Sequence, residues 1–327
     1  MTAEKRWKVY VTRMVPGPGI SILKEKADVE VSPGDLPVPR EVLMEKVRDI
    51  DGLLCLLTDK IDKEVIAAAK KLSVIANYAV GHDNVDIEAA TKRGIAVTNT
   101  PEVLTETTAD LAWSLLMAVA RRIVEADRFT RDGRYRAWSP TLLLGKDVHG
   151  KILGIVGAGR IGSAVAKRAA GFGMRILYYD TERKPEIEKE TGARYSAFED
   201  LLGESDFISV HLPLSGATRH MIGERELKMM KRSAILINTS RGPVVKESDL
   251  VRALADGTIA GAGLDVYEAE PALAKGLASL ENAVLAPHIG SGSEATRSEM
   301  ARLAAASIVD RLEGRVPENL VNREILG

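Results

Sequence analysis

An α/β protein built from two doubly wound domains is what this sequence predicts, and three observations predict it. Its apolar residues fall in short, nearly continuous runs rather than in alternation, the pattern of strands buried on both faces of a parallel sheet. Helix-like stretches separate those runs through most of the chain. A nucleotide-binding fold carries its glycine-rich turn after its first strand, yet the turn here comes only at Gly157. The strand–helix units before it therefore need a sheet of their own.

In chain order the strands are expected at 9–11, 53–57, 74–76, 95–97, 152–156, 176–179, 207–210, 234–237, 260–264 and 284–286. Helices are expected at 63–71, 86–93, 161–172, 246–256 and 294–313. A long amphipathic stretch, 101–129, stands between the two sets, with Thr100-Pro101 as its expected helix start. Residues 100–289 then read as a cofactor domain inserted into a first, substrate domain that residues 1–99 and 290–327 complete. The cleft between them is the expected active site.

Composition narrows the function class. The 327 residues are 45% hydrophobic and 28% charged, enough for a core and a solvated surface. Lys+Arg 45 against Asp+Glu 46 leaves a net charge of -1, which offers no global attraction to nucleic acid or an anionic membrane. A single cysteine, Cys55, excludes an intramolecular disulfide and a cysteine metal cluster, and its apolar run reads as buried. The segment from Met1 to Trp7 does not resemble a signal peptide, and the apolar stretch 111–120 is about half a bilayer span, so a cytoplasmic location is expected.

The run from Lys151 to Gly162 passes from strand through a glycine turn into a helix. Gly157 permits the turn, Gly159 lets backbone approach a pyrophosphate, and Gly162 allows close helix–sheet packing. The next strand ends at Asp180, eighteen residues past Gly162, where a carboxylate holds a ribose 2′-hydroxyl. That carboxylate repels the 2′-phosphate of NADP and favours NAD, while Arg183 and Lys184 nearby could soften the preference.

Three further residues stand at or beyond the ends of late strands, where an open α/β sheet places its site: Arg241, Glu270 and His288. Reduction of a 2-oxo acid needs a cation for the carboxylate and carbonyl, and arginine supplies a planar fork. It also needs a proton donor for the nascent alkoxide, and a histidine beside a carboxylate serves. Singly, each has a bland reading: Arg241 as a surface arginine, Glu270 as a solvated carboxylate beside Glu268, and His288 as one more structural histidine. His82, His149, His211 and His220 read as surface or core residues.

The chain resembles the D-isomer-specific 2-hydroxyacid dehydrogenases over essentially its whole length, and within them the glyoxylate/hydroxypyruvate reductases. The motifs that carry the resemblance are AVGHDN at 79–84, VTNTP at 97–101, the glycine loop 157–162, HLPLS at 211–215, NTSRG at 238–242, GLDV at 263–266 and PHIGS at 287–291. The resemblance implies a Rossmann-type cofactor domain inserted into a flavodoxin-like substrate domain, with Arg241, Glu270 and His288 catalytic. It implies that Val80 and Gly81, with Arg241, bind the substrate carboxylate. It implies that Arg160 and Ile161 follow the pyrophosphate, that His211 and Pro213 border the cofactor, that Thr239 and Asp265 lie near the nicotinamide half, and that Gly290 lies near the amide.

A homodimer through the cofactor domain is implied too, with Trp138 reaching towards the neighbouring subunit. The family's formate-oxidising members carry glutamine where this chain has Glu270, which argues against that reaction. The family's phosphoglycerate dehydrogenases commonly carry a regulatory extension for which no room is expected beyond Gly327. Phosphoglycerate or another D-2-hydroxy acid, phosphite, and an NAD-sensing corepressor-like binding role stay open as alternatives. No feature suggests a metal.

Overall fold

The computed structural model describes residues 6–327; residues 1–5, part of the stretch read as unlike a signal peptide, lie outside the described residues. Two units divide the chain. The first runs up to Leu104 and resumes from Ser291 to Gly327; the second is Thr105–Gly290.

In the first unit β1 (Trp7–Val11), α1 (Gly19–Lys26), β2 (Ala27–Val31), α2 (Arg40–Lys46), β3 (Gly52–Cys55), α3 (Lys63–Ala68), β4 (Val74–Asn77), α4 (Ile87–Lys92) and β5 (Ala96–Thr98) follow one another. The strands pair in parallel in the order β2-β1-β3-β4-β5, the flavodoxin-like order. β3 and β4 are buried along their whole length, as their unbroken apolar runs require, and Cys55 lies in that core. Asp62 and Asp86 start α3 and α4 by accepting the first orphan N–H groups of each helix. The C-terminal helix, Glu294–Leu312, packs on β3, β4 and α1. Beyond it Asn322 accepts the Val97 N–H at 2.8 Å and donates to the Ile95 carbonyl at 2.9 Å, so the returning chain closes the β5 edge.

The second unit holds α5 (Thr105–Ala120), α6 (Ile123–Arg131), β6 (Ile152–Val156), α7 (Arg160–Ala170), β7 (Arg175–Tyr179), α8 (Pro185–Thr191), β8 (Arg194–Tyr195), α9 (Phe198–Glu204), β9 (Phe207–Val210), α10 (Glu224–Met229), β10 (Ile235–Asn238), α11 (Glu247–Ala255), β11 (Gly261–Leu264) and β12 (Ala283–Leu285). Its parallel sheet runs β12-β11-β10-β9-β6-β7-β8, with an apolar core on each face. The order reverses between β6 and β9, and ligands of such sheets bind beyond the strand ends at that reversal. On one face Trp113 of α5 donates its indole N–H to the Val165 carbonyl at 3.0 Å and stacks on Phe172 at 4.7 Å.

The structure corrects the reading of 101–129. No helix starts at Pro101: Glu102 takes φ +70°, and Val103 N–H closes a tight turn on the Pro101 carbonyl at 2.8 Å, so α5 begins at Thr105. Nor is the stretch continuous, because Arg122 takes φ +54° and breaks it into α5 and α6. β2 went unread because it alternates, with Asp28 and Glu30 exposed on an edge strand. Among the described residues no helix is long and apolar enough to cross a membrane.

Candidate active site

The glycine loop follows β6 directly. Gly157 takes φ +94°, a conformation that side chains resist, and a Cβ on it would lie 2.8 Å from the His211 carbonyl. A Cβ on Gly162 would lie 2.0 Å from the Gly157 carbonyl, so only glycine lets α7 approach the turn. Around Gly159 the position of a Cβ is open, which leaves backbone exposed at the N-terminus of α7. Arg160 and Ile161 form the first turn of that helix.

Asp180, just past β7, accepts the Ala158 N–H at 2.9 Å through one oxygen and the Thr181 N–H at 2.7 Å through the other. The carboxylate is thereby fixed against the glycine loop. Arg183 is committed elsewhere, since its Nε and Nη2 both reach the Glu188 carboxylate at 3.1 Å.

His211 follows β9 directly, over the same loop, its N–H on the Val156 carbonyl at 2.8 Å and its Nε2 at 2.8 Å from Ser209 Oγ. Its Nδ1 is buried without a hydrogen-bond partner, and Pro213 follows on the exposed loop. Burial pushes the imidazole down to about 3 from its ordinary 6.5. Between those values the unfolded chain takes up a proton that the folded one refuses. Stability is therefore full above pH 6.5 and falls as the pH drops, by at most about 1.4 kcal/mol per pH unit from this residue. Part of the side chain still meets solvent, which makes that slope an upper limit. Denaturant titrations at pH 7, 6 and 5 should give a shallower decline for His211→Gln than for the wild type; equal declines would remove His211 as the cause.

The remaining candidates sit beyond β10, β11 and β12. Arg241 follows β10 and is half-buried, with Nη1 on the Ser240 carbonyl at 2.9 Å. Thr239 beside it is buried, and its hydroxyl has no hydrogen-bond partner. Glu270 and His288 meet: His288 Nδ1 and Glu270 Oε2 are 2.8 Å apart, and Glu270 Oε1 accepts the Tyr267 N–H at 3.0 Å. Burial raises the Glu270 carboxyl, but the His288 hydrogen bond and charge, the Tyr267 N–H and the Arg241 charge outweigh it and hold it below its ordinary range. Glu270 is thus ionised beside the imidazole, with Arg241 near enough for its charge to be felt.

His288 takes φ +55°, a strained backbone for a residue with a Cβ. Asp265 holds it there. The two carboxylate oxygens accept the Ile289 and Gly290 N–H groups, each at 2.7 Å, and a Cβ on Gly290 would lie 3.2 Å from one of them. Burial pushes the Asp265 carboxyl up, against those two N–H donors and the His288 charge. This bracing was not read from the sequence, nor was the burial of Thr108 against Gly290. In the first unit, Val80 and Gly81 follow β4, their carbonyls tied by the side-chain amides of Asn99 and Asn77, both at 2.8 Å. Trp138 is 79% exposed in a stretch that buries little of itself.

A dinucleotide suits this set of residues. The bare backbone at Gly159, the unpartnered Thr239 hydroxyl and the orphaned His211 Nδ1 stand round the sheet's reversal, where such a cofactor lies. Known proteins agree. Residues 113–290 match the family model described as D-isomer specific 2-hydroxyacid dehydrogenase, NAD binding domain, which makes the cofactor a nicotinamide dinucleotide. The chain is 55% identical over 325 residues to the glyoxylate reductase of Thermococcus kodakarensis, covering 98% of each. A solved structure from Thermus thermophilus superposes with a TM-score of 0.91 at 48% identity, over 96% of this chain and 99% of that one. Another, the NADPH-dependent glyoxylate/hydroxypyruvate reductase of Sinorhizobium meliloti in complex with NADP and malonate, gives 0.86 at 31% identity over 98% of both chains. With its glycine loop, its strand-end histidine–carboxylate pair and relatives of this closeness along its full length, the chain belongs to the D-isomer specific 2-hydroxyacid dehydrogenase family.

Proposed function

We propose that this protein reduces a small 2-oxo acid, glyoxylate or hydroxypyruvate, to the D-2-hydroxy acid with NADH. The observation that carries the reading is the 2.8 Å contact between His288 Nδ1 and Glu270 Oε2 at the strand ends, with the charge of Arg241 beside it. Nδ1 faces Glu270, so Nε2 is the atom that holds the proton for the substrate oxygen. Glu270 stabilises the charged imidazole and sets its tautomer. Arg241 binds the substrate carboxylate and draws charge from the carbonyl. The nicotinamide dinucleotide supplies the hydride when bound.

The glycine loop and the first turn of α7 would hold the pyrophosphate, Asp180 the adenosine ribose, and Thr239 and Asp265 the nicotinamide half. NADH is favoured over NADPH because Asp180 presents a carboxylate where a 2′-phosphate would lie, and Arg183 is already paired with Glu188. The test is oxidation of NADH and NADPH with glyoxylate, hydroxypyruvate, pyruvate and phosphohydroxypyruvate. Turnover is expected with the first two acids, faster with NADH, and Asp180→Ala should narrow the cofactor preference. No turnover with any of these acids, in protein that binds NADH, would overturn the reading.

The same reading includes a homodimer formed through the cofactor unit. Helix α6 buries none of its side chains, and Ile123, Val124, Tyr135, Trp138 and Leu144 are exposed on it or in the segment after it. So much apolar surface in one arm supports a protein interface there. Light scattering should give twice the chain mass, and Tyr135→Glu with Leu144→Glu should shift it towards the single mass.

A further inference from the structure

A second histidine–carboxylate pair draws its carboxylate from the same loop after β11 as the first. His220, in the loop that follows β9, sets Nε2 at 2.6 Å from Glu268 Oε1. The other Glu268 oxygen accepts the Glu247 N–H at 2.7 Å, at the first residue of α11. Glu247 is buried, and its own carboxylate accepts the N–H groups of Glu268 and Ala274, both at 2.8 Å. The two glutamates thus exchange backbone hydrogen bonds. Two carboxylates so close are tolerable because each takes backbone donors and Glu268 takes the imidazole as well.

These bonds fasten together three loops, two of which carry site residues. Arg241 stands six residues before Glu247, and Glu270 stands two after Glu268. The His220 N–H also donates to the Pro243 carbonyl at 2.7 Å. Between the loops the backbones touch: a Cβ on Gly242 would lie 1.9 Å from the Tyr267 carbonyl carbon and 2.5 Å from the Glu268 N. His220 and Glu247 act on the pair through the chain, by way of Glu268 and the Tyr267 N–H on Glu270.

We propose that His220, Glu268 and Glu247 are positioning residues that set the separation between Arg241 and the Glu270–His288 pair. This rests on the roles given to Arg241 and His288 above. A cation and a proton donor on different loops serve one substrate only at one separation, and a displacement near 1 Å can cost about 100-fold in rate. A merely structural brace would lower stability and leave the relation between substrate and Arg241 alone.

The test is a mutant cycle on kcat/KM for glyoxylate and hydroxypyruvate, with NADH affinity and Tm followed in parallel. Glu268→Ala should raise KM for the 2-oxo acid by roughly tenfold while NADH affinity stays within about twofold. Glu268→Gln, which keeps one carbonyl acceptor, should recover most of that loss. Arg241→Lys has already given up the planar fork, so adding Glu268→Ala to it should cost little more. Losses that instead multiply in the double variant, or a KM that Glu268→Ala leaves unchanged, would overturn the proposal. His220→Gln changes a partly exposed side chain, and Tm reports whether the fold keeps it; it should raise KM in the same direction, and an unchanged KM overturns the role of His220. An Arg241→Lys variant as active as the wild type would instead refute the site reading on which the proposal stands.

Discussion

His288→Gln is expected to lower kcat by about 10²–10⁴, with KM for the 2-oxo acid changed by no more than about threefold. Glutamine can still reach Glu270, so the local packing and the Tyr267 N–H contact survive. What is lost is an atom that can carry and release a proton as charge develops on the substrate oxygen. Because that demand arises only as the bond to hydrogen forms, the loss belongs in kcat and leaves ground-state binding alone. Steady-state kinetics with glyoxylate and a direct titration of NADH binding check it. A kcat within about threefold of wild type would remove His288 from the chemistry, whatever its contact with Glu270.

The second large effect is expected at Gly162. Alanine there sets a methyl group 2.0 Å from the Gly157 carbonyl, and that oxygen belongs to backbone that cannot swing aside as a side chain can. Either α7 retreats from β6 or the turn opens. Both movements displace the N–H groups at the helix start, the anchor proposed above for the cofactor. Overpacking of this kind costs roughly 1–3 kcal/mol, so Gly162→Ala should lower Tm by several degrees and weaken NADH binding by more than about tenfold. Gly159→Ala is the control, because a Cβ there meets no protein atom. It should leave Tm unchanged and weaken only cofactor binding. Equal Tm values for wild type and Gly162→Ala would contradict the packing argument.

The sequence made most of this sheet legible for one physical reason: strands covered on both faces must be apolar without interruption. The expected bounds of β6 and β9 match the structure at both ends. The edge strands β2 and β8 escaped, since an edge needs no such run, and β8 is only two residues long. The α5 start was misplaced because proline at a helix start is a local cue, and Glu102 turns the chain the other way. Arg241, Glu270 and His288 stood out through their shared position after strands. The bracing behind them did not. His220 and Glu268 are 48 residues apart and meet only through the fold, and nothing in the local sequence marks Asp265 as the group that holds the His288 backbone.

The discontinuous first unit has a consequence for how the protein is made. Its sheet is written in the first 104 residues, but the helix that covers β3 and β4 and the asparagine that closes the β5 edge come after residue 290. At a ribosomal pace of about 5–20 residues per second, those early strands wait roughly 10–45 s for their cover. The middle unit, contiguous in the chain, can be complete before that cover arrives. For that interval the nascent chain carries one finished domain and one sheet that α2, α3 and α4 cover on a single face, and the other, uncovered face is what a chaperone would find to hold.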